Sequence, residues 1–226
     1  MFVANGFDPT PPLPAGKTLR VPSQFASIQA AVDAADHGDT IIVSKKKWKE
    51  SVLIQSLDDL TIRAKTKATI DSAAGPALKI KDCIGLRLQG FTLASADDHA
   101  LALEGVNRAV IEKCKVEEGP KVPVDAIDTS GVAFVDCSVR SLEGDFAMHV
   151  EGASALVLGC KLTGGGIQMQ GPRMVVDGCR ITNSKPFAIE FESLMPGTTR
   201  VGLARGNVLD GLHFYGLGAD LKTEVI

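Results

Sequence analysis

Five residues in this sequence have the types and spacing to act together: Asp128, His149, Glu151, Glu190 and Glu192. They follow a recurring small-then-apolar pair, seen as Ala77-Leu78, Ala100-Leu101, Ala126-Ile127, Ala147-Met148, Gly166-Ile167, Ala188-Ile189 and Gly211-Leu212. If each pair opens a strand, alternate side chains point the same way. Lys79, Ala102, Asp128, His149, Gln168, Glu190 and His213 then make one outward row, with Lys81, Glu104, Ser130, Glu151, Gln170, Glu192 and Tyr215 in the next. Carboxylates around an imidazole raise its pKa and create an acid/base pair, and their hard oxygens suit Ca²⁺ as the one cofactor the field brings to mind. A solvated strand face also calls for polar residues without any function, so no firm metal site is assigned.

What must position these residues is a repeat. Cys114, Cys137 and Cys160 stand 23 residues apart, Phe91 lies 114 − 91 = 23 before the first, and Cys179 follows at 179 − 160 = 19. Three residues before each member lie Leu88, Ile111, Phe134, Val157 and Val176, and two after lie Leu93, Val116, Val139, Leu162 and Ile181. The frame continues to Gly206 with Val201, Leu203 and Val208. Short period-two segments joined at odd offsets mean strands with one buried face, bent between segments, and three strands per coil fit the period. Gly, Asp and Ser punctuate every rung, which rules out helical repeats. The fold class is therefore all-β, a right-handed parallel β-helix of seven or eight coils, with residues 21–226 as one domain and coils over about 40–216.

The entrance reads as a cap. Ile28, Ala31, Val32 and Ala35 fall on one stripe of a short helix over about 26–36, stopped by Gly38. Such a helix covers the open end of the solenoid, where core and strand edges would otherwise be bare. Residues 1–20 form a Pro/Gly-rich extension without an apolar leader, so no signal peptide is expected, and an excised piece of a longer secreted or cell-surface protein would look the same. The exit from Leu217 to Ile226 is too short to seal the far end unaided, so truncation, end-to-end association through the C-terminal coil and a covering partner domain are the alternatives.

Composition removes several function classes. The chain has 226 residues, 24 Lys+Arg against 27 Asp+Glu for a net charge of −3, and 45% hydrophobic residues. That balance lacks the basic excess of nucleic-acid binding, and no apolar run reaches the roughly 20 residues of a bilayer span. The Cys spacing excludes a zinc ribbon, and stacked at roughly 4.8 Å the thiols of Cys114, Cys137, Cys160 and Cys179 form an inward ladder, expected to be reduced. Trp48, the single Trp, is expected to pack on the first coil, with sugar stacking as the sharper alternative.

The run Val21-Pro22-Ser23, Ser27-Ile28-Gln29-Ala30-Ala31-Val32, Gly38-Asp39-Thr40-Ile41-Ile42-Val43 and Lys49-Glu50-Ser51-Val52 resembles the opening of right-handed β-helix proteins of the pectin lyase-like superfamily. Pectin methylesterases offer the nearer local likeness. His99-Ala100-Leu101-Ala102-Leu103 resembles their first Gln-bearing strand, with His99 in place of the Gln. The resemblance implies an acid role for Asp125, a nucleophile role for Asp145 within Gly144-Asp145-Phe146, and an anchoring role for Arg205 within Leu203-Ala204-Arg205-Gly206, which lacks the family's Pro-Trp continuation. A lyase would need a base such as Lys115, Lys161 or Arg180, and these follow the Cys column onto another side.

These readings converge on a non-catalytic, carbohydrate-associated binding or scaffold module whose partner is a polysaccharide or a protein. A divergent carbohydrate esterase or lyase is one alternative, and a structural spacer is the other.

Overall fold

Odd offsets between apolar columns turn the chain three times per coil, and the computed structural model shows where. It describes residues 16–44, 46–117, 119–142, 146–184, 187–192, 200–210, 215–219 and 223–224. The first face is built from Val52–Gln55, Leu78–Lys81, Leu101–Glu104, residues 124–127 and 146–151, Gly166–Gln170, Phe187–Glu192 and Tyr215–Ala219. The second holds Thr18–Val21, Thr40–Val43, residues 61–64 and 87–89, Val110–Glu112, residues 132–135 and 155–158, Arg173–Asp177 and Arg200–Arg205. The third runs through Lys47–Trp48, residues 68–72 and 91–95, Lys115–Val116, Ser138–Arg140, Lys161–Thr163, Arg180–Thr182 and Val208–Asp210. Each strand pairs in parallel with its counterpart one coil later, giving a solenoid of about 7 turns.

Inside, like sits on like. Leu78, Leu101, Val124, Met148, Ile167 and Ile189 line the first face, Leu88, Ile111, Phe134, Val157 and Val176 the second, and Leu93, Val116, Val139, Leu162 and Ile181 the third, all at most 1% exposed. Burying one such side chain contributes roughly 1.5–3 kcal/mol, so the columns hold the coils together while leaving the outward residues free to vary.

The Cys column forms as expected, with Phe91 below Cys114 and every thiol free and buried. Cys137 donates to the Ile111 carbonyl at 3.3 Å, and Cys160 and Cys179 donate to the Phe134 and Val157 carbonyls at 3.5 Å. Hydrogen bonds between neighbouring thiols raise the Cys114 and Cys160 pKa values, with burial adding to the rise, and lower those of Cys137 and Cys179 against burial. One rung further the column passes to Asn207, not to Gly206, because Arg180 lies opposite Val208. Asn207 accepts from the Cys179 N–H at 2.8 Å and donates to the Val176 carbonyl at 3.0 Å, ending the ladder with a residue that satisfies backbone groups.

The cap is a helix at Ile28–Asp33, shorter than the sequence suggests. Asp39 ends it by accepting from the Asp36 N–H at 2.9 Å, which draws the chain into a turn. Ser27 accepts from the Ala30 N–H at 3.1 Å, and Glu50 takes the free N–H groups of Ile28 and Gln29 at 3.0 and 3.1 Å. Gln29 then lends its amide to the Leu53 backbone, accepting from its N–H at 2.8 Å and donating to its carbonyl at 3.1 Å. A side chain thus stands in for the missing neighbour of the first-face edge strand, which blocks edge pairing. The strand Thr18–Val21 pairs with Thr40–Val43, so the first coil begins inside the segment expected as an extension. Trp48 is 4% exposed and packs in that first turn, which removes it as a stacking platform.

Candidate functional site

Backbone register decides which polar residues meet on the first face. Val124 lies opposite Leu101 on one side and Met148 on the other, so the small-residue column passes through Pro123 and not Ala126. The outward row is therefore Lys79, Ala102, Asp125, His149, Gln168 and Glu190, with Ile127 rather than Ser130 next to Glu104 in the second row. Asp128 does not join it. It sits at φ +53 in the corner after the strand, exposed, in the turn position that Ser56, Asp82 and Gly105 occupy in earlier coils. His213 and the side chain of Tyr215 lie outside the described residues, and Leu217 takes the place opposite Ile189 that the sequence reading gave to Leu212.

The corner that follows this strand is tightly specified. Gly152 and Gly171, at φ +151 and +154, leave the first face where backbones of adjacent coils touch, and a Cβ on Gly152 would run into the Thr129 carbonyl oxygen. That close approach fixes the direction of Glu151 and of the rows beside it.

The resulting centre is a carboxylate between two imidazoles. His149 Nδ1 donates to Asp125 Oδ1 at 2.7 Å, while His99 Nε2 stands 3.6 Å from Asp125 Oδ2. His99 is fixed by donating from Nδ1 to the Val122 carbonyl at 2.7 Å, and Lys121 reaches Asp98 at 2.8 Å beside it. On the far side Gln170 donates to Glu192 at 2.5 Å, and Gln168 donates to Glu190 at 3.2 Å. Towards the N-terminus Lys79 and Lys81 both grip Glu104 at 2.8 Å and hold its carboxyl down to about 2.

Electrostatics favour the charged forms of the central pair. Burial raises the Asp125 carboxyl, but the His149 hydrogen bond and the charges of His99 and His149 outweigh it, leaving the pKa below the ordinary value. His149 is raised, first by its hydrogen bond to Asp125 against the opposing effect of burial, then by the charges of Asp125 and Glu151 and by Gln170. The His149 side chain is 20% exposed, so the field is half-buried rather than the open face that the sequence suggested. Among the described residues, no group of three His, Cys, Asp or Glu side chains is placed to hold a metal ion.

Esterase roles for Asp125, Asp145 and Arg205 require the three side chains to converge. Arg205 lies on the second face, outward, donating to Asp177 from Nε at 2.8 Å and from a terminal nitrogen at 2.6 Å. It cannot anchor a group beside Asp125. Asp145 lies outside the described residues. Lys115, Lys161 and Arg180 stand in one outward row of the third face, away from the carboxylates as expected. Two clefts of about 340 and 360 Å³ follow that face and its edge, sharing Asp71 and Ala96, and His149 lines neither.

Asp98 and Lys121 were missed in the sequence, as was the pairing of Asp125 with His149. The signal was present in the period: Asp98 and Lys121 are 23 residues apart, and so are Ala102 and Asp125. Choosing the column by residue type, Ala126, instead of by count, Pro123, hid both.

Among the described residues no helix is long and apolar enough to cross a membrane. No family model and no curated protein matches the sequence. Solved structures do match. An Aspergillus niger pectin methylesterase is 12% identical, with 92% of this chain and 86% of that one covered at a TM-score of 0.50. A pectin methylesterase in complex with a hexasaccharide is also 12% identical over 84% of this chain and 65% of that one, at 0.51. Escherichia coli YbhC, again 12% identical, covers 88% of this chain and 74% of its own at 0.57. The chain therefore has the parallel β-helix fold that pectin methylesterases share.

Proposed function

We infer that the chain is a carbohydrate-associated binding module that holds a neutral glycan along its first face without cleaving it. The observation that carries this reading is the state of Asp125: its carboxylate is held by His149 and flanked by His99, while the arginine that the esterase reading needs is bound to Asp177 on another face. A nucleophile or general acid must be free to reach the reacting atom. Here the planar polar groups of Asp125, His149, Gln168, Gln170 and Glu190 are set in stacked rows, suited to the paired hydroxyls of a sugar and ordered before binding, so little entropy is lost on contact. The negative field disfavours a bare polyuronate at this face.

A glycan-array screen tests the reading. Binding to one or more neutral glycans is expected, weakened by Gln168→Ala and Glu190→Ala without a change in melting temperature. Retention of binding by both variants overturns it. Hydrolysis of methyl-esterified pectin by the parent, abolished in Asp125→Ala, replaces it with the esterase reading.

A further inference from the structure

The third face carries the opposite charge and is neutralised only in part, Lys47 meeting Asp71 at 2.8 Å near its start. Its outward row runs Thr92, Lys115, Ser138, Lys161 and Arg180, one residue per coil, with Arg140 and Thr163 paired beside it. Lys79, Lys81 and Lys121 on the first-face side each meet a carboxylate, and on the third face Lys115 meets Glu117 at 2.8 Å. The side chains of Lys161 and Arg180, on adjacent coils and both exposed, have no ion-pair or hydrogen-bond partner among the described residues. The cleft of about 340 Å³ opens onto the same strip, lined by Lys115 and Arg140, by the small residues Ala94 to Ala96, and by Asp71 and Glu117, whose carboxylates are taken up by Lys47 and Lys115.

We propose that this strip binds a linear acidic polysaccharide lying along the solenoid axis, entering at the cleft and crossing Lys115, Lys161 and Arg180. The argument is one of matched repeats. Coils advance by roughly 4.8 Å, and a pyranose in an extended chain advances by about the same step, so successive rungs meet successive sugars. Lys115 and Lys161 lie two coils apart with Ser138 between them, which alternates a charge for a carboxylate with a hydroxyl for sugar hydroxyls. Arg180 adds a planar fork that can take a carboxylate through two hydrogen bonds. The described outward residues of the strip include no aromatic side chain, so a nucleic acid would find no surface on which to stack its bases. This site is separate from the first face and does not rest on the neutral-glycan reading.

Affinity electrophoresis in native gels containing polygalacturonate tests it, with hydroxyethyl cellulose as the neutral polymer and double-stranded DNA in a parallel shift assay. The parent protein should be retarded by polygalacturonate alone, and the retardation should fall as salt rises. Lys161→Glu combined with Arg180→Glu should reduce it at least tenfold in apparent affinity at an unchanged melting temperature, whereas Gln168→Ala should leave it intact. No retardation of the parent, equal retardation of the double variant, or equal retardation by the neutral polymer overturns the proposal. Binding to DNA as tight as to polygalacturonate overturns it in favour of a nucleic-acid surface.

Discussion

The first and third faces hang from the same interior columns and repeat with the same step, yet they treat charge in opposite ways. On the first face almost every polar group is engaged with the rung above or below: Asp125 with His149, Gln170 with Glu192, Glu104 with two lysines. On the third face the rungs place Ser138 and Lys161 next to each other and Lys161 next to Arg180, which neutralises nothing. A stacked sheet thus sets distance, and residue choice decides whether that distance makes a closed network or an open row of charge. A closed network is held in place by its own hydrogen bonds, while attraction to an open row of charge weakens as salt rises.

The most severe way to break the comparison is to remove what both faces share. Val157 is fully buried in the second-face column, so Val157→Asp puts an unpaired charge into the core at a cost of roughly 3–5 kcal/mol. Thermal melting should show an unfolded or strongly destabilised protein, and both binding surfaces should be lost together. A parent-like melt would mean that the interior register is wrong.

A smaller blow falls on one face only. Gly152→Ala forces a Cβ against the Thr129 carbonyl at φ +151, and such strain costs of order 1–3 kcal/mol. Melting temperature should fall, and glycan binding at the first face should weaken more than polygalacturonate retardation at the third. Equal loss at both would show that the corner does not govern the first-face rows.

Next comes the pH dependence of the closed network. His149 is raised, so its contribution to stability is full below the unfolded value of about 6.5 and is lost as pH rises through its folded pKa. Asp125 is lowered, so its contribution is present above about 3.9 and is lost as pH falls through its folded pKa. The difference in melting temperature between the parent and His149→Gln should therefore be largest between about pH 4 and 6.5 and narrow on either side. A difference that is flat from pH 3 to pH 9 would deny the ionic character of the pair.

The smallest effect is expected at Arg205→Ala. The pair with Asp177 lies on the second face in contact with water, where such bridges contribute little. Melting temperature and binding at either face should remain as in the parent. Loss of a pectin methylesterase activity in this variant would restore the catalytic reading that its position argues against.

The sequence by itself determined the period, the three-sided coil, the interior columns, the Cys ladder and the helical cap. Each of these follows from apolar residues recurring at fixed offsets, which only stacked parallel strands can bury together. It also placed His149, Glu151, Glu190 and Glu192 on one side, because within a strand alternation is strict and needs no further information. Tertiary structure alone decided what lies between strands. From Pro123 to Ala147 the coil takes 24 residues, from Ala147 to Gly166 it takes 19, and from Gly166 to Ala188 it takes 22, all inferred from strand pairing. The turns absorb those differences, and each change resets which residues face outward, since a slip of one position reverses a side chain. That is why Asp125 stands against His149 while Asp128 turns a corner, why Asn207 rather than Gly206 ends the Cys column, and why Arg205 faces away from both. Residue types can announce a carboxylate and an imidazole, but only the backbone register brings them to 2.7 Å.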